Sequence, residues 1–129
     1  MTGRNPVVLG KFKSKSSKAK SLLFYGHYDV VTPLTGSKEW HTDAYSLEGR
    51  DGFYYGRGVS DNKGPVLAAM FAASELIRQG LDVNITFLIE GEEESGSKGF
   101  IECVKSKKVD LEVLSTDSRI SLALWIGLF

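Results

Sequence analysis

The chain has 129 residues, 42% of them hydrophobic and 25% charged, which is the composition of one ordinary globular domain able to bury a core without a disulfide framework. Its 16 basic and 16 acidic residues cancel, so no overall electrostatic footprint for nucleic acid is present. A single cysteine, Cys103, excludes an intramolecular disulfide and fits a reducing, cytoplasmic setting. No stretch has the pattern of a signal peptide, and the apolar "ISLALWIGLF" at the C-terminus is too short to span a bilayer, so a membrane is not expected as a partner.

In chain order, "NPVVLGKF" (5–12) is β-branched and reads as a strand, and the serine–lysine stretch 13–20 as a solvated loop. "SLLFYGHYDV" (21–30) opens with a continuous apolar run ending at Gly26, which suits a central strand buried on both faces. Residues 32–52 are polar, aromatic and punctuated, so they read as a long loop and a turn, followed by a short strand in "FYYGRG" (53–58). "GPVLAAMFAASELIRQG" is the clearest helix. Pro65 falls in its first turn, Val66, Met70, Ala73 and Ile77 share a face, Leu67 and Phe71 widen that face, and Gly80 supplies the stop. "VNITFLIE" (83–90) reads as a second buried strand. "SKGFIECVKSKK" (97–108) reads as a shorter helix with Phe100, Ile101 and Val104 inward and Cys103 buried. "VDLEVLS" (109–115) reads as a third buried strand. The alternation predicts an α/β fold, a three-layer sandwich around a mainly parallel sheet.

Chemistry in open α/β sheets gathers at the carboxyl ends of strands. There this chain places "EGEEESGS" at 90–97, with four carboxylates in five positions, and also His27 and Asp117. Like charges so close together require neutralisation. One imidazole among many carboxylates suits divalent ions such as zinc or manganese. Asp29, two positions after His27 and on the same side of a strand, can accept the second ring N–H and fix the tautomer. Asp61, in the glycine-flanked turn "GRGVSDNKG", can bridge two ions. The pair Glu93–Glu94 can divide ligation from proton transfer, and two ions about 3.5–4 Å apart activate water at neutral pH. Each motif alone is an ordinary turn or solvated loop; their joint order gives them weight. No H-E-x-x-H, G-x-S-x-G or P-loop sequence occurs to support a zincin, serine hydrolase or nucleotide site.

"LLFYGHYDV", "YYGRGVSDNKGPVLA" and "FLIEGEEESGS", in that order, resemble the co-catalytic metallopeptidase family of carboxypeptidase G, aminoacylase and the carnosine-type dipeptidases. The wording is closest to the carnosine-type branch, which includes the fungal glutathione-degrading complex subunit. The resemblance implies metal ligands at His27, Asp61, Glu94 and Asp117, with Asp61 bridging and followed by a cis peptide. It implies catalytic roles for Asp29, which orients His27, and for Glu93, the general base; Glu92 falls at a variable position. It implies zinc, or manganese, as cofactor, with two ions in a full-length site, and a small dipeptide-like substrate hydrolysed by metal-bound water.

Full-length members also carry a late ligand histidine and a lid domain that dimerises. This chain has only His27 and His41. The expectation is therefore an N-terminal piece of the catalytic domain, family-like over 5–115 with a divergent tail at 116–129, retaining one ion at most. His27, Asp61 and Asp117 would hold that ion, whereas Asp61 and Glu94 alone would hold the other too weakly. Two functional expectations follow: a metal-dependent hydrolase of peptide or amide bonds, or an incomplete catalytic piece acting as a scaffold in a larger hydrolase assembly. The tail residues Trp125, Ile126, Leu128 and Phe129 are expected to be exposed and prone to docking or aggregation.

Overall fold

A computed structural model describes residues 5–34, 40–106 and 120–125. In chain order the elements are β1 (Val8–Phe12), β2 (Lys20–His27), β3 (Glu48–Arg50), β4 (Phe53–Tyr55), α1 (Lys63–Arg78), β5 (Val83–Glu90), a 3-10 turn (Glu93–Ser95), α2 (Phe100–Ser106) and β6 (Ile120–Trp125). The main sheet is ordered β1–β5–β2–β6. β2 runs parallel to β5, from Lys20 opposite Val83 to His27 opposite Glu90, and parallel to β6 on its other edge; β1 is antiparallel to β5. The sheet is thus mainly parallel with one antiparallel edge.

Successive side chains of a strand alternate between faces. On one face Leu22, Phe24, Val83, Ile85 and Phe87 pack against Ala73 and Ile77 of α1, and Phe24 stacks on Phe87 at a ring-centroid distance of 5.0 Å. On the other face Tyr25 meets Phe100 of α2 at 5.5 Å. The two helices therefore cover opposite faces, giving helix, sheet and helix layers.

The N-terminal end of α1 is pressed onto the end of β2. A Cβ on Gly26 would lie 2.5 Å from a methyl of Val66 and 2.7 Å from the side-chain oxygen of Asn62, so only glycine fits there. The helix stops as its sequence predicts. Gly80 takes φ +86°, its N–H donates to the Ile77 carbonyl, and the N–H of Leu81 donates to that of Leu76.

Five expectations need correction or limits. Leu67 and Phe71 are 52% and 72% exposed, so the buried stripe of α1 is narrower than its apolar pattern suggests. Ile101, expected inward, is 60% exposed, because α2 meets the sheet through Phe100, which packs on Tyr25, while Val104 is half-buried. Part of the expected loop 32–52 is strand: β3 pairs with β4 as a hairpin. The strand expected over 109–115 and the tail residues Ile126, Leu128 and Phe129 lie outside the described residues, and Ile120–Trp125, within the tail expected to diverge, pairs along β2. An apolar β-prone stretch beside an open sheet edge satisfies that edge's backbone groups.

Candidate metal centre

Three chain segments meet beyond the carboxyl end of β2. The strand itself delivers His27, buried at its last position. The turn before α1 delivers Asp61, whose peptide bond to Asn62 is cis. The 3-10 turn after β5 delivers Glu93 and Glu94.

His27 is held from both ends. Its backbone N–H donates to Asn62 Oδ1 at 3.2 Å, and Asn62 is wholly buried. Ring Nδ1 lies 3.2 Å from both the Asp29 carbonyl oxygen and Asp29 Oδ1. The carbonyl is aligned as acceptor, whereas Oδ1, buried and without an aligned donor, acts on the ring through its charge. An Nδ1–H fixed in this way leaves the Nε2 lone pair facing the rim. Nε2 lies 3.1 Å from Asp61 Oδ1 and 3.7 Å from Glu93 Oε2.

Asp29 also grips the glutamate turn, because its Oδ2 accepts the Glu94 N–H at 2.9 Å. His27, Asp61 and Glu94 each place one ligand atom within 4.8 Å of the others. A neutral imidazole nitrogen and two carboxylate oxygens, with Asp61 and Glu94 open to solvent, make a donor set that fits zinc or manganese. Four carboxylates around one imidazole otherwise repel each other with no cation among them.

The structure thus brings together His27, Asp29, Asp61, Glu93 and Glu94, while Asp117 lies outside the described residues. His41 is exposed in the loop after Trp40 and is not a member of the donor group. Cys103 is a half-buried free thiol on α2. Glu92, which the resemblance leaves without a role, anchors its loop: Oε1 accepts the Asn5 N–H at 2.8 Å and Oε2 the Ser95 hydroxyl at 3.0 Å.

Two supporting residues escape the sequence patterns. Asn62 looks like part of a turn, and Glu90 like one more member of an acidic run. Glu90 Oε1 accepts the Tyr25 hydroxyl at 2.5 Å and the Ser97 hydroxyl at 2.9 Å. Burial, reinforced by the hydrogen bond to Glu90 and by its charge, pushes the Tyr25 phenol well above its ordinary value. The one signal in the sequence is position, a carboxylate ending an otherwise uncharged strand, and it does not reveal the partners.

Peptidase family M20/M25/M40 matches residues 23–122. A probable di- and tripeptidase of Saccharomyces cerevisiae, DUG2, is 44% identical over 92% of this chain and 15% of its own length. The human Beta-Ala-His dipeptidase is 44% identical over 90% of this chain and 24% of its own length. The crystal structure of human carnosine dipeptidase 1 superimposes with a TM-score of 0.72 at 44% identity, over 81% of this chain and 22% of that one. The chain thus spans between about a seventh and a quarter of the length of these relatives. Among the described residues no helix is long and apolar enough to cross a membrane. With the family match covering 100 of its residues and the histidine, aspartate and glutamates of three motifs gathered at one rim, the chain belongs to peptidase family M20/M25/M40.

Proposed function

We propose that this chain carries a divalent-metal site, zinc by preference, and acts in hydrolysis of the peptide bond of small dipeptide-like substrates. The observation that carries the reading is the convergence of His27, Asp61 and Glu94 within 4.8 Å, with Glu93 beside them. His27, Asp61 and Glu94 would hold the ion, and Asp117 is assigned as a further ligand on resemblance alone. One ion per chain is the stoichiometry we assign, since the three gathered donor groups are too few to hold two ions firmly.

Bound there, a divalent ion supplies Lewis acidity, polarising a carbonyl and lowering the pKa of water. The protein's own residues do the rest. Asp29, whose carbonyl lies 3.2 Å from Nδ1, would hold the His27 tautomer that turns Nε2 to the rim. Glu93, within 3.7 Å of the same nitrogen yet outside the ligand group, is placed to take a proton from the attacking water and return it to the leaving amine nitrogen. The names of the relatives point to substrates such as β-alanyl-histidine. A cytoplasmic setting fits the free thiol of Cys103.

The test is calorimetric titration with Zn²⁺ and Mn²⁺, paired with hydrolysis of β-alanyl-histidine and cysteinyl-glycine. One ion should bind, Zn²⁺ more tightly, and His27→Ala should abolish binding. Glu93→Gln should leave affinity unchanged and lower turnover by roughly 10²–10⁴. Metal binding indifferent to His27→Ala would overturn the site, and hydrolysis indifferent to Glu93→Gln would overturn the mechanism. A chain that binds metal but turns over neither substrate supports the scaffold reading over the hydrolase.

A further inference from the structure

One buried charged residue has no part in the chemistry above. Glu90, the last residue of β5, is 1% exposed. Burying a carboxylate without a counter-charge is costly, and an apolar side chain would fill the position at less cost. Its bonds indicate what it does there. Oε1 accepts the Tyr25 hydroxyl at 2.5 Å and the Ser97 hydroxyl at 2.9 Å, while Oε2 is buried without a partner. Tyr25 lies on β2 two residues before His27. Ser97 closes the turn that bears Glu93 and Glu94: its N–H donates to the Glu92 carbonyl at 2.7 Å, and its φ of +53° is in the left-handed region. One carboxylate oxygen therefore ties the strand that delivers the imidazole to the turn that delivers the two glutamates.

We propose that Glu90 is the positioning residue for that turn. Through Oε1 it holds Ser97 to Tyr25, and so sets Glu94 and Glu93 against His27 Nε2. The inference rests on the metal-site reading and adds to it a residue that touches neither cation nor substrate. Asp29 grips the turn near its start, through the Glu94 N–H, and Glu90 grips its end. Glu92 ties the turn to Asn5 ahead of Glu94, so without Glu90 the stretch after Glu94 can pivot; held at its end as well, the turn keeps Glu94 within ligand distance of Asp61 and His27. Partners of this outer kind orient ligands and change metal affinity without contacting the metal.

A double-mutant cycle on the whole chain tests this, read by calorimetric titration with Mn²⁺ while circular dichroism monitors the fold. Ser97→Ala removes the tie but leaves Glu90 paired with Tyr25, and should weaken Mn²⁺ binding roughly ten- to a hundredfold. In a Glu94→Ala background the same change should add no further loss, because its effect passes through Glu94. Glu90→Gln keeps an acceptor for both hydroxyls and should bind like the unsubstituted chain, whereas Glu90→Ala should lose as much as Ser97→Ala. Should Glu90→Ala fail to fold, Ser97→Ala and Glu90→Gln decide the matter. Full affinity in Ser97→Ala, or a loss that adds in full to that of Glu94→Ala, overturns the proposal. Absence of Mn²⁺ binding by the unsubstituted chain, seen before any variant is made, overturns the metal site itself.

Discussion

Asn62 shows how much of the site depends on residues with no chemistry of their own. Its side-chain oxygen receives the His27 N–H in a wholly buried position, directly beneath Gly26. Asn62→Ala would leave that N–H without an acceptor and open space under the strand end, at a cost of about 1–3 kcal/mol. Urea denaturation should show this as a lower midpoint with an unchanged slope. Tyr25 gives a second outcome at the same scale. Its phenol is pushed above the ordinary 10.0, first by burial and then by Glu90. In the unfolded chain the phenol would ionise near that ordinary value. The folded form therefore retains a proton that the unfolded form has lost, and stability is full below about pH 10 and declines as pH rises toward the folded value. Thermal unfolding followed from pH 8 upward should show this decline, and Tyr25→Phe should lessen it. The convergence of His27, Asp61 and Glu94 was legible because the joint order of the three motifs puts imidazole and carboxylates at the ends of neighbouring strands. Asn62 and Glu90 were not, because their roles exist only once β2, α1 and the glutamate turn are in contact.

Among the elements, β5 and α1 matched their sequence patterns most closely, each within a residue or two of the expected ends. The β3–β4 hairpin was missed because Glu48, Gly49 and Arg50 have no apolar alternation. The available clue was Asp51–Gly52, a favoured hairpin dipeptide, here with φ of +53° and +82°. Nothing in "NPVVLGKF" specified direction, so the antiparallel pairing of β1 was unreadable from it. The α1 pattern over-extended because alanines at 68, 69, 72 and 73 allow several faces to look apolar. That leaves Phe71 facing solvent, and Phe71→Gln should change stability by no more than about 0.5 kcal/mol. Gly64, seven residues earlier in the same helix, should behave oppositely. A Cβ there would lie 1.9 Å from the Val59 carbonyl oxygen, a backbone atom that cannot rotate away. Gly64→Ala must therefore displace the first turn of α1 together with the adjacent Asp61. Its helical signal should melt several degrees lower, and its Mn²⁺ affinity should fall along with its stability.

At the scale of the molecule, the centre lies where the end of β2, the start of α1 and the turn after β5 meet. β2 brings His27, the loop into α1 brings Asp61, and the turn after β5 brings Glu94, so donor atoms of residues distant in sequence lie within 4.8 Å of one another. Without a cation these carboxylates repel each other across the junction of strands, helix and loop. A cation there replaces repulsion with attraction in the folded state only, because the unfolded chain does not hold the three groups together. Binding must then raise stability by mass action, about 2.7 kcal/mol at a hundredfold excess over the dissociation constant. For a domain of this size that corresponds to a rise in melting temperature of roughly 10 °C. The rise should reverse with a chelator and vanish in His27→Ala. It should persist in Glu93→Gln, whose carboxylate lies outside the ligand group. A rise of equal size in His27→Ala would mean that the ion binds elsewhere on this acidic rim. Its persistence in Glu93→Gln, beside lost turnover, would separate the residue that moves protons from those that hold the metal.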